Sequence, residues 1–338
     1  MTVWTQVTLS EVNGWLADHY GLQANRIIPI AEGVEDSVFR LDVGHNDAVF
    51  LRLFERTEPF GPLMIASSLA QAGLPTCPPI KDKDGNVFST LKGKPAALSP
   101  WIDGSWVASP NLEQIAAIGS FMGRIARVGT EYCDGWHRDN PRGWEWFSET
   151  TNKLLPVLPA QQAKELKEET EAQIAFWGNI DRNEVKHGPI HADLFRNNVM
   201  FRKDGKLAAV IDWGFCASDY PLIYDLAIVA NDWCLKDGGH VLDDVRLSVL
   251  MSARKEICPL TAAEEKSWGM ALRLAALRFY LSRQHDASFP RDEAGKTLDP
   301  QHFYKILAAH KAADTGTKNC TRPHFQKPAG KGQTPECL

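Results

Sequence analysis

The apolar positions of the first hundred residues follow helical and strand periods in turn. Val12, Trp15 and Leu16 share one face of a predicted first helix, for which Ser10 is the expected N-cap. A second helical stretch covers residues 61–72 and stops at a glycine. The strand-like segments, β-branched or alternating, are residues 26–30, 38–43, 48–54, 86–91 and 96–101. This pattern predicts a small sheet that carries a helix.

After residue 104 the period becomes mainly helical. Ile115 and Ile118 begin one apolar stripe. The further predicted helices are residues 160–177, 222–233, 243–253, 261–283 and 300–310. A strand pair at residues 199–201 and 207–211 interrupts them. The tryptophan-rich stretch 136–146 is predicted to be a connection whose rings pack in the core, with a ligand platform as the alternative.

Composition and charge narrow the classes of function. Of the 338 residues, 44% are hydrophobic and 23% are charged, which is typical of a folded globular protein and excludes whole-chain disorder. The 37 basic residues face 42 acidic ones, the net charge is -5, and no basic stripe occurs. We therefore expect neither nucleic acid nor a membrane surface as a partner. The scattered cysteines and the absence of an apolar leader predict reduced thiols and a cytoplasmic location.

One polar segment contains the groups that phosphoryl transfer needs. It runs from His191 through Asp193 to Asn198, and a strand pair then leads to Asp212. Asp193 could orient an attacking hydroxyl and accept its proton. The amide oxygen of Asn198 and the carboxylate of Asp212 are hard ligands that suit Mg²⁺. We predict a catalytic loop here, with His191 as a structural residue that holds it.

A turn-capping role is the alternative for Asp193 and Asn198, because both residue types favour turns. The segment lies between a buried-looking strand and a hairpin that ends in Asp212. Kinase catalytic and metal loops have this arrangement, which favours the catalytic interpretation.

Two motifs resemble the catalytic and metal-binding signatures of the aminoglycoside phosphotransferase and choline kinase superfamily. They are His-Ala-Asp-x-x-x-x-Asn at residues 191–198 and Ile-Asp-Trp at residues 211–213. Segments similar to the bacterial homoserine kinase branch are residues 31–37, 93–96, 191–199, 222–228, 231–234 and 277–283. The resemblance covers most of residues 1–311.

The resemblance implies an α+β, protein-kinase-like bilobal fold. Residues 1–100 would form a small antiparallel-sheet N-lobe with one helix, which binds the nucleotide. Residues 101–312 would form a larger, mainly helical C-lobe with the catalytic loop, the metal loop and the acceptor site. Residues 313–338 lose apolar periodicity, and we predict a disordered tail there.

ATP and Mg²⁺ are the cofactors that the resemblance implies. The loop at residues 32–38, which includes Gly33 and Ser37, would fold over the phosphates, and the chain from Leu98 to Trp101 would contact adenine. An ordinary turn is an equal alternative for the loop, because it has a single glycine. Arg52 lies where the family places a basic phosphate ligand, and an exposed arginine on an edge strand is its alternative.

One feature departs from protein kinases. The helix at residues 61–72 contains no glutamate, so the expected ion pair between a strand cation and a helix glutamate is absent. No activation segment of the protein-kinase type follows Asp212, which makes a protein acceptor less expected. The sequence does not identify the residue that replaces this glutamate in anchoring phosphate.

The resemblance implies L-homoserine as the acceptor, and a zwitterion of this kind needs one acidic and one basic partner. We assign the ammonium to Asp232 and the carboxylate to Arg278, because arginine grips carboxylate with two bonds. Arg196 could contact phosphate or the acceptor carboxylate, or lie in solvent. Asp225, inside an apolar helix, is expected to brace the catalytic loop.

Other functions stay open at this point. Trp233 beside carboxylates would suit choline, ethanolamine or another small amino alcohol, and an aminoglycoside is a further alternative. A catalytically silent, kinase-like binding protein is the alternative from another class, motivated by the missing helix glutamate. The sequence leaves the oligomeric state undetermined.

Overall fold

The N-terminal lobe is a five-stranded antiparallel sheet with two helices. The computed structural model describes residues 5–30, 36–44, 47–128, 137–290 and 298–316. The strands of this lobe are β1 (Ala24–Pro29), β2 (Ser37–Val43), β3 (Asp47–Leu53), β4 (Ser89–Leu91) and β5 (Lys94–Pro100). Its helices are α1 (Leu9–His19) and α2 (Phe60–Gln71). The strands lie in the spatial order β1-β2-β3-β5-β4.

The alternation along β3 determines which side chains face the core of this lobe. Val49, Leu51 and Leu53 are buried in one cluster with residues of α1. Successive side chains of a strand point to opposite faces, so Arg52 is directed away from this core. It reaches the second lobe, where its Nη2 lies 3.2 Å from Asp212 Oδ1.

The first helix begins earlier than expected, which corrects the prediction of Ser10 as its N-cap. Thr8 is the N-cap, and its hydroxyl accepts a hydrogen bond from the backbone N–H of Glu11. The Glu11 carboxylate in turn accepts from Thr8 N at 2.8 Å. A threonine followed three residues later by glutamate forms this reciprocal capping box.

The C-terminal lobe is mainly helical. Its helices are α3 (Leu112–Val128), α4 (Trp144–Leu154), α5 (Ala160–Gly178), α6 (Ile223–Trp233), α7 (Asp244–Ile257), α8 (Ala262–Ser288) and α9 (Gln301–Gly316). Its short strands form two antiparallel pairs. These are β6 (His187–Ile190) with β9 (Ala217–Pro221), and β7 (Val199–Phe201) with β8 (Leu207–Val210). Nearly every residue of α6 is buried, as expected for a helix that is apolar on most of its circumference.

Backbone hydrogen bonds join the β7–β8 hairpin to the N-terminal lobe and to the connection that follows that lobe. Val210 N donates to Pro75 O at 2.8 Å, and Ser105 and Phe201 exchange two hydrogen bonds of 3.0 and 2.9 Å. A Cβ added at Gly104 would lie 2.8 Å from Phe201 O, so this close approach requires glycine. The β7–β8 hairpin, and the chain that follows it, is thereby fixed against the N-terminal lobe.

Helix α4 begins inside the tryptophan-rich stretch that was predicted as a connection, and this corrects the prediction. The Gly and Asn residues that indicated a connection, Asn140 and Gly143, lie just before the helix. The rings of Trp144 and Trp146 pack against the core. Trp136 lies outside the described residues.

The last described helix corrects the predicted start of the tail. Helix α9 continues to Gly316, past the expected boundary at residue 312. Asp314 pairs with Arg273 of α8 at 3.1 Å, which accounts for this extension. Residues 317–338 lie outside the described residues.

The α+β bilobal fold, with a small antiparallel sheet and a larger helical lobe, is confirmed. Within the part of the chain that the structure describes, no helix is both long and apolar enough to cross a membrane.

Candidate active site

The loop after β6 is held by a carboxylate from helix α6. Asp225 Oδ2 accepts from His191 N at 2.6 Å, and Asp225 Oδ1 accepts from Ala192 N at 2.8 Å. Ala192 has φ of 60°, a conformation that is rare outside glycine and costs about 1–3 kcal/mol. The two hydrogen bonds support this strained turn, which sets the direction of Asp193.

The environment of Asp225 is almost fully enclosed. Burial raises the pKa of Asp225 to about 7, while the hydrogen bonds from His191 and Ala192 oppose that rise. The structure thus places Asp225 against the catalytic loop, in the position that a bracing residue requires.

His191 connects the catalytic loop to the strand end before Asp212. Its Nε2 lies 2.8 Å from Ile211 O, and its Nδ1 accepts from Asp193 N at 3.2 Å. One donating and one accepting ring nitrogen correspond to a neutral imidazole. Burial lowers the pKa of His191, which favours the same neutral form.

Asn198 contacts Asp193, and Asp212 follows the strand end that His191 contacts. The Asn198 amide nitrogen donates to Asp193 O at 2.8 Å and to Asp193 Oδ2 at 3.2 Å, which directs the amide oxygen elsewhere. The Asp212 side chain is half-exposed, and the residue has φ of 59°. A carboxylate and an amide oxygen fit Mg²⁺, which proteins commonly hold by few side chains together with phosphate oxygens. The described residues contain no cluster of three or more His, Cys, Asp or Glu that could hold a metal ion.

Arg52 is paired with a carboxylate that the sequence analysis missed. Arg52 Nη2 lies 2.6 Å from Asp36 Oδ2, and Nε donates to the same oxygen at 2.7 Å. Asp36 is buried and also accepts from Glu55 N at 2.9 Å. Asp36 therefore provides the partner that helix α2 lacks.

The register of the sheet contains the signal that would have identified Asp36. Val38 on β2 lies opposite Arg52 on β3. Asp36 is two residues before Val38, so it lies on the same face and diagonally adjacent to Arg52.

Two of the residues predicted to bind the nucleotide are enclosed in the N-terminal lobe. The Ser37 hydroxyl donates to Glu55 Oε1 at 2.6 Å. Leu98 is fully buried, and its carbonyl accepts from Ile80 N at 2.7 Å. Both groups already have protein partners, and their roles in nucleotide binding stay predictions. Gly33 lies outside the described residues.

Trp101, unlike the buried Leu98, is accessible to solvent. It follows β5 and is partly exposed. It lines a cavity of about 440 Å³, together with Ile102, Asp103, Arg202 and Ala208. This cavity joins the end of the sheet to the β7–β8 hairpin, where the planar ring of a nucleotide base has room.

Arg278 of α8 lies beside the catalytic loop with an incomplete set of partners. Its Nη1 is 3.9 Å from Asp193 Oδ1, and its guanidinium carbon is 4.0 Å from the ring centroid of Phe279 and 4.9 Å from that of Phe215. The residue is only 3% exposed. Within the described residues, Nε and Nη2 have no hydrogen-bond partner. Buried donors without acceptors are costly, so the arrangement suits an anionic ligand.

Arg196 and Asp232 satisfy each other. Arg196 Nε and Nη2 donate to the two oxygens of Asp232 at 3.0 Å each, and Arg196 N donates to Oδ2 at 2.8 Å. The Arg196 guanidinium also contacts the carbonyl of Ala108. The structure thus places two of the three predicted acceptor residues in an internal ion pair.

Comparisons with known proteins agree with the geometry. The model of a phosphotransferase enzyme family matches residues 26–256. The chain is 33% identical over 318 residues to a homoserine kinase of Cupriavidus pinatubonensis, covering 91% of this chain and 95% of that protein. It is 35% identical over 312 residues to a homoserine kinase of Janthinobacterium sp., with coverage of 91% and 95%.

A solved structure of spectinomycin phosphotransferase, in complex with ADP and spectinomycin, has the same fold. Its TM-score is 0.68 at 14% sequence identity, and the match covers 92% of this chain and 99% of that one.

Proposed function

The chain belongs to the phosphotransferase enzyme family, and we propose that it is an ATP-dependent homoserine kinase. It would transfer the γ-phosphoryl group of ATP to the side-chain hydroxyl of L-homoserine. The observation that carries the choice of acceptor is Arg278, a buried guanidinium with two unpartnered nitrogens among the described residues, 3.9 Å from Asp193. An acceptor with both a hydroxyl and a carboxylate fits this pair of groups.

The proposed reaction uses Asp193 as the base. Asp193 orients the acceptor hydroxyl and takes its proton while the oxygen forms a bond to the γ-phosphorus. The bond from the γ-phosphorus to the bridging oxygen breaks, and ADP leaves with that electron pair. Arg52, fixed by Asp36, neutralises phosphate charge. Trp101 and the cavity that it lines are the candidate site for adenine.

We propose Asn198 and Asp212 as the residues that hold Mg²⁺. When bound, the ion would neutralise charge on the phosphate oxygens and help to align them. Arg52 already contacts Asp212 Oδ1 at 3.2 Å, so the candidate metal and phosphate sites adjoin.

The charge of the acceptor distinguishes the alternatives. Choline, ethanolamine and aminoglycosides are cationic and carry no carboxylate, so none of them would complete the hydrogen bonds of Arg278. Asp232 and Arg196 stay predictions for acceptor binding, because the ion pair between them would have to open first.

A panel of acceptors with coupled detection of ADP tests the proposal. L-homoserine should give turnover well above choline, ethanolamine and an aminoglycoside at equal concentration. Asp193→Asn should retain ATP binding, measured by calorimetry, and lose about 10²- to 10⁴-fold in kcat. Turnover of choline without turnover of L-homoserine would refute the proposal, and no turnover of any acceptor would favour a silent binding protein.

A further inference from the structure

Helix α6 carries a second buried polar group next to the predicted catalytic loop. Tyr224, in the first turn of α6, is fully enclosed. Among the described residues its hydroxyl has no hydrogen-bond partner. A buried hydroxyl without a partner is unfavourable, and nearly all such groups in folded proteins are paired. The hydroxyl of Tyr224 therefore indicates a missing partner, as the guanidinium of Arg278 does.

The position of Tyr224 is fixed relative to the catalytic loop. The next residue, Asp225, binds two backbone N–H groups of that loop, and the ring of Tyr220 packs edge-on at 5.3 Å. Helix α6 packs against α8, which carries Arg278. Tyr224 and Arg278 therefore lie on two packed helices, each of which contacts the loop that carries Asp193.

Resting on the function proposed above, we propose that the Tyr224 hydroxyl donates a hydrogen bond to the acceptor carboxylate that Arg278 binds. Tyr224 is then a specificity-determining residue for amino alcohols that carry a carboxylate. Burial raises the pKa of Tyr224, so the hydroxyl keeps its proton at neutral pH and can donate. An acceptor without a carboxylate leaves both donors unpartnered, which gives the site a physical basis for rejecting it.

Tyr224→Phe tests this role with a pair of acceptors. One is L-homoserine, and the other is 3-aminopropan-1-ol, which is homoserine without its carboxylate. The variant should lose about 10- to 100-fold in kcat/KM for L-homoserine, as expected for a hydrogen bond to a charged group. The value for 3-aminopropan-1-ol should stay unchanged, so the preference between the two acceptors narrows by the same factor.

Binding without turnover gives a second measurement. L-2-aminobutyrate has the carboxylate and ammonium of homoserine but no hydroxyl, and it should inhibit competitively. Its inhibition constant should rise in Tyr224→Phe by about the factor seen in kcat/KM.

Tyr280→Phe is the matched control, because Tyr280 is equally buried but its hydroxyl accepts from Gln162 at 2.8 Å. This control should lower the melting temperature and leave the acceptor preference unchanged. Tyr224→Phe should instead change the acceptor preference without lowering the melting temperature. Equal losses for both acceptors, or an unchanged inhibition constant, would overturn the role of Tyr224 alone. A wild-type protein without homoserine kinase activity would overturn this inference together with the proposed function.

Discussion

Two regions next to the catalytic loop hold arginines in different electrostatic surroundings. In one, Arg196 and Asp232 form two side-chain hydrogen bonds of 3.0 Å, and each neutralises the other. In the other, Arg278 is buried over aromatic rings, and two of its nitrogens have no partner among the described residues. The first arrangement is complete without a ligand, whereas the second needs one.

The comparison shows that residue type alone does not identify a ligand-binding arginine. Both arginines were assigned to the acceptor from the sequence. The fold distinguishes them, because the carboxylate of Asp232 is hydrogen-bonded to Arg196. A buried charge without a full set of partners destabilises the folded state, and a bound anion removes that cost. Arg196 offers no such gain, since a ligand would first have to displace Asp232.

The largest expected effect comes from removing the incomplete arginine. Arg278→Met should lower kcat/KM for L-homoserine by about 100-fold or more, because truncating one partner of a buried charge pair costs about 2–5 kcal/mol. The melting temperature should stay constant or rise, since the protein loses a buried charge that lacks partners. Steady-state kinetics and thermal unfolding measure the two quantities.

Arg273→Met is the control on the same helix. Arg273 Nη2 lies 2.6 Å from Oε2 of the buried Glu169, so this variant should lower the melting temperature and preserve kcat/KM. If Arg278→Met behaved in the same way as Arg273→Met, the contrast between the two regions would be wrong.

Acid should lower the free energy of unfolding through His310, which contacts the helix that carries Asp232. His310 of α9 lies 2.8 Å from Oδ1 of Asn231, the neighbour of Asp232, and burial lowers the pKa of His310 to about 4. As pH falls from about 6.5 to about 4, the unfolded chain binds a proton that the folded chain does not. The free energy of unfolding should therefore decrease by about 3 kcal/mol over this window and be unaffected by His310 above it.

Denaturant unfolding of His310→Gln and the parent at each pH measures this contribution. Asp225 also makes the free energy of unfolding depend on pH, in the opposite direction, because its pKa is raised. Subtracting the variant from the parent cancels this contribution, since both proteins contain Asp225. His137→Gln, at an exposed histidine, serves as the control and should retain the full acid sensitivity. An unchanged acid slope in His310→Gln would show that this histidine is not the acid-sensitive group.

The smallest effect is expected from the completed ion pair. A double-mutant cycle of Arg196→Met and Asp232→Asn should give a coupling free energy of about 1 kcal/mol in unfolding, because the arginine is partly exposed and solvent screens the pair. KM for L-homoserine should change little in Asp232→Asn. A rise in KM of tenfold or more would instead support the ammonium role that the sequence predicted for Asp232.

Much of the fold could be predicted from the sequence, because strong periods determine its strands and helices. Helix α4 could not, since Asn140 and Gly143 just before it are typical of a connection. The grouping of Asp193, Asn198 and Asp212 followed from motif spacing, and the structure places the first two in hydrogen-bond contact. Asp36 required the strand register, which a single sequence does not reveal. The cytoplasmic location, the disordered tail and the role of Gly33 stay predictions.

Helix α6 fixes the distance between the backbone positions of Tyr224 and Asp232. It carries Tyr224 near one end and Asp232 near the other, and eight residues at 1.5 Å each separate them by about 12 Å along its axis. Because nearly all of this helix is enclosed, neither end can shift without disturbing the core. Substitutions at either end therefore change the side chains, while the distance between their backbone positions stays fixed.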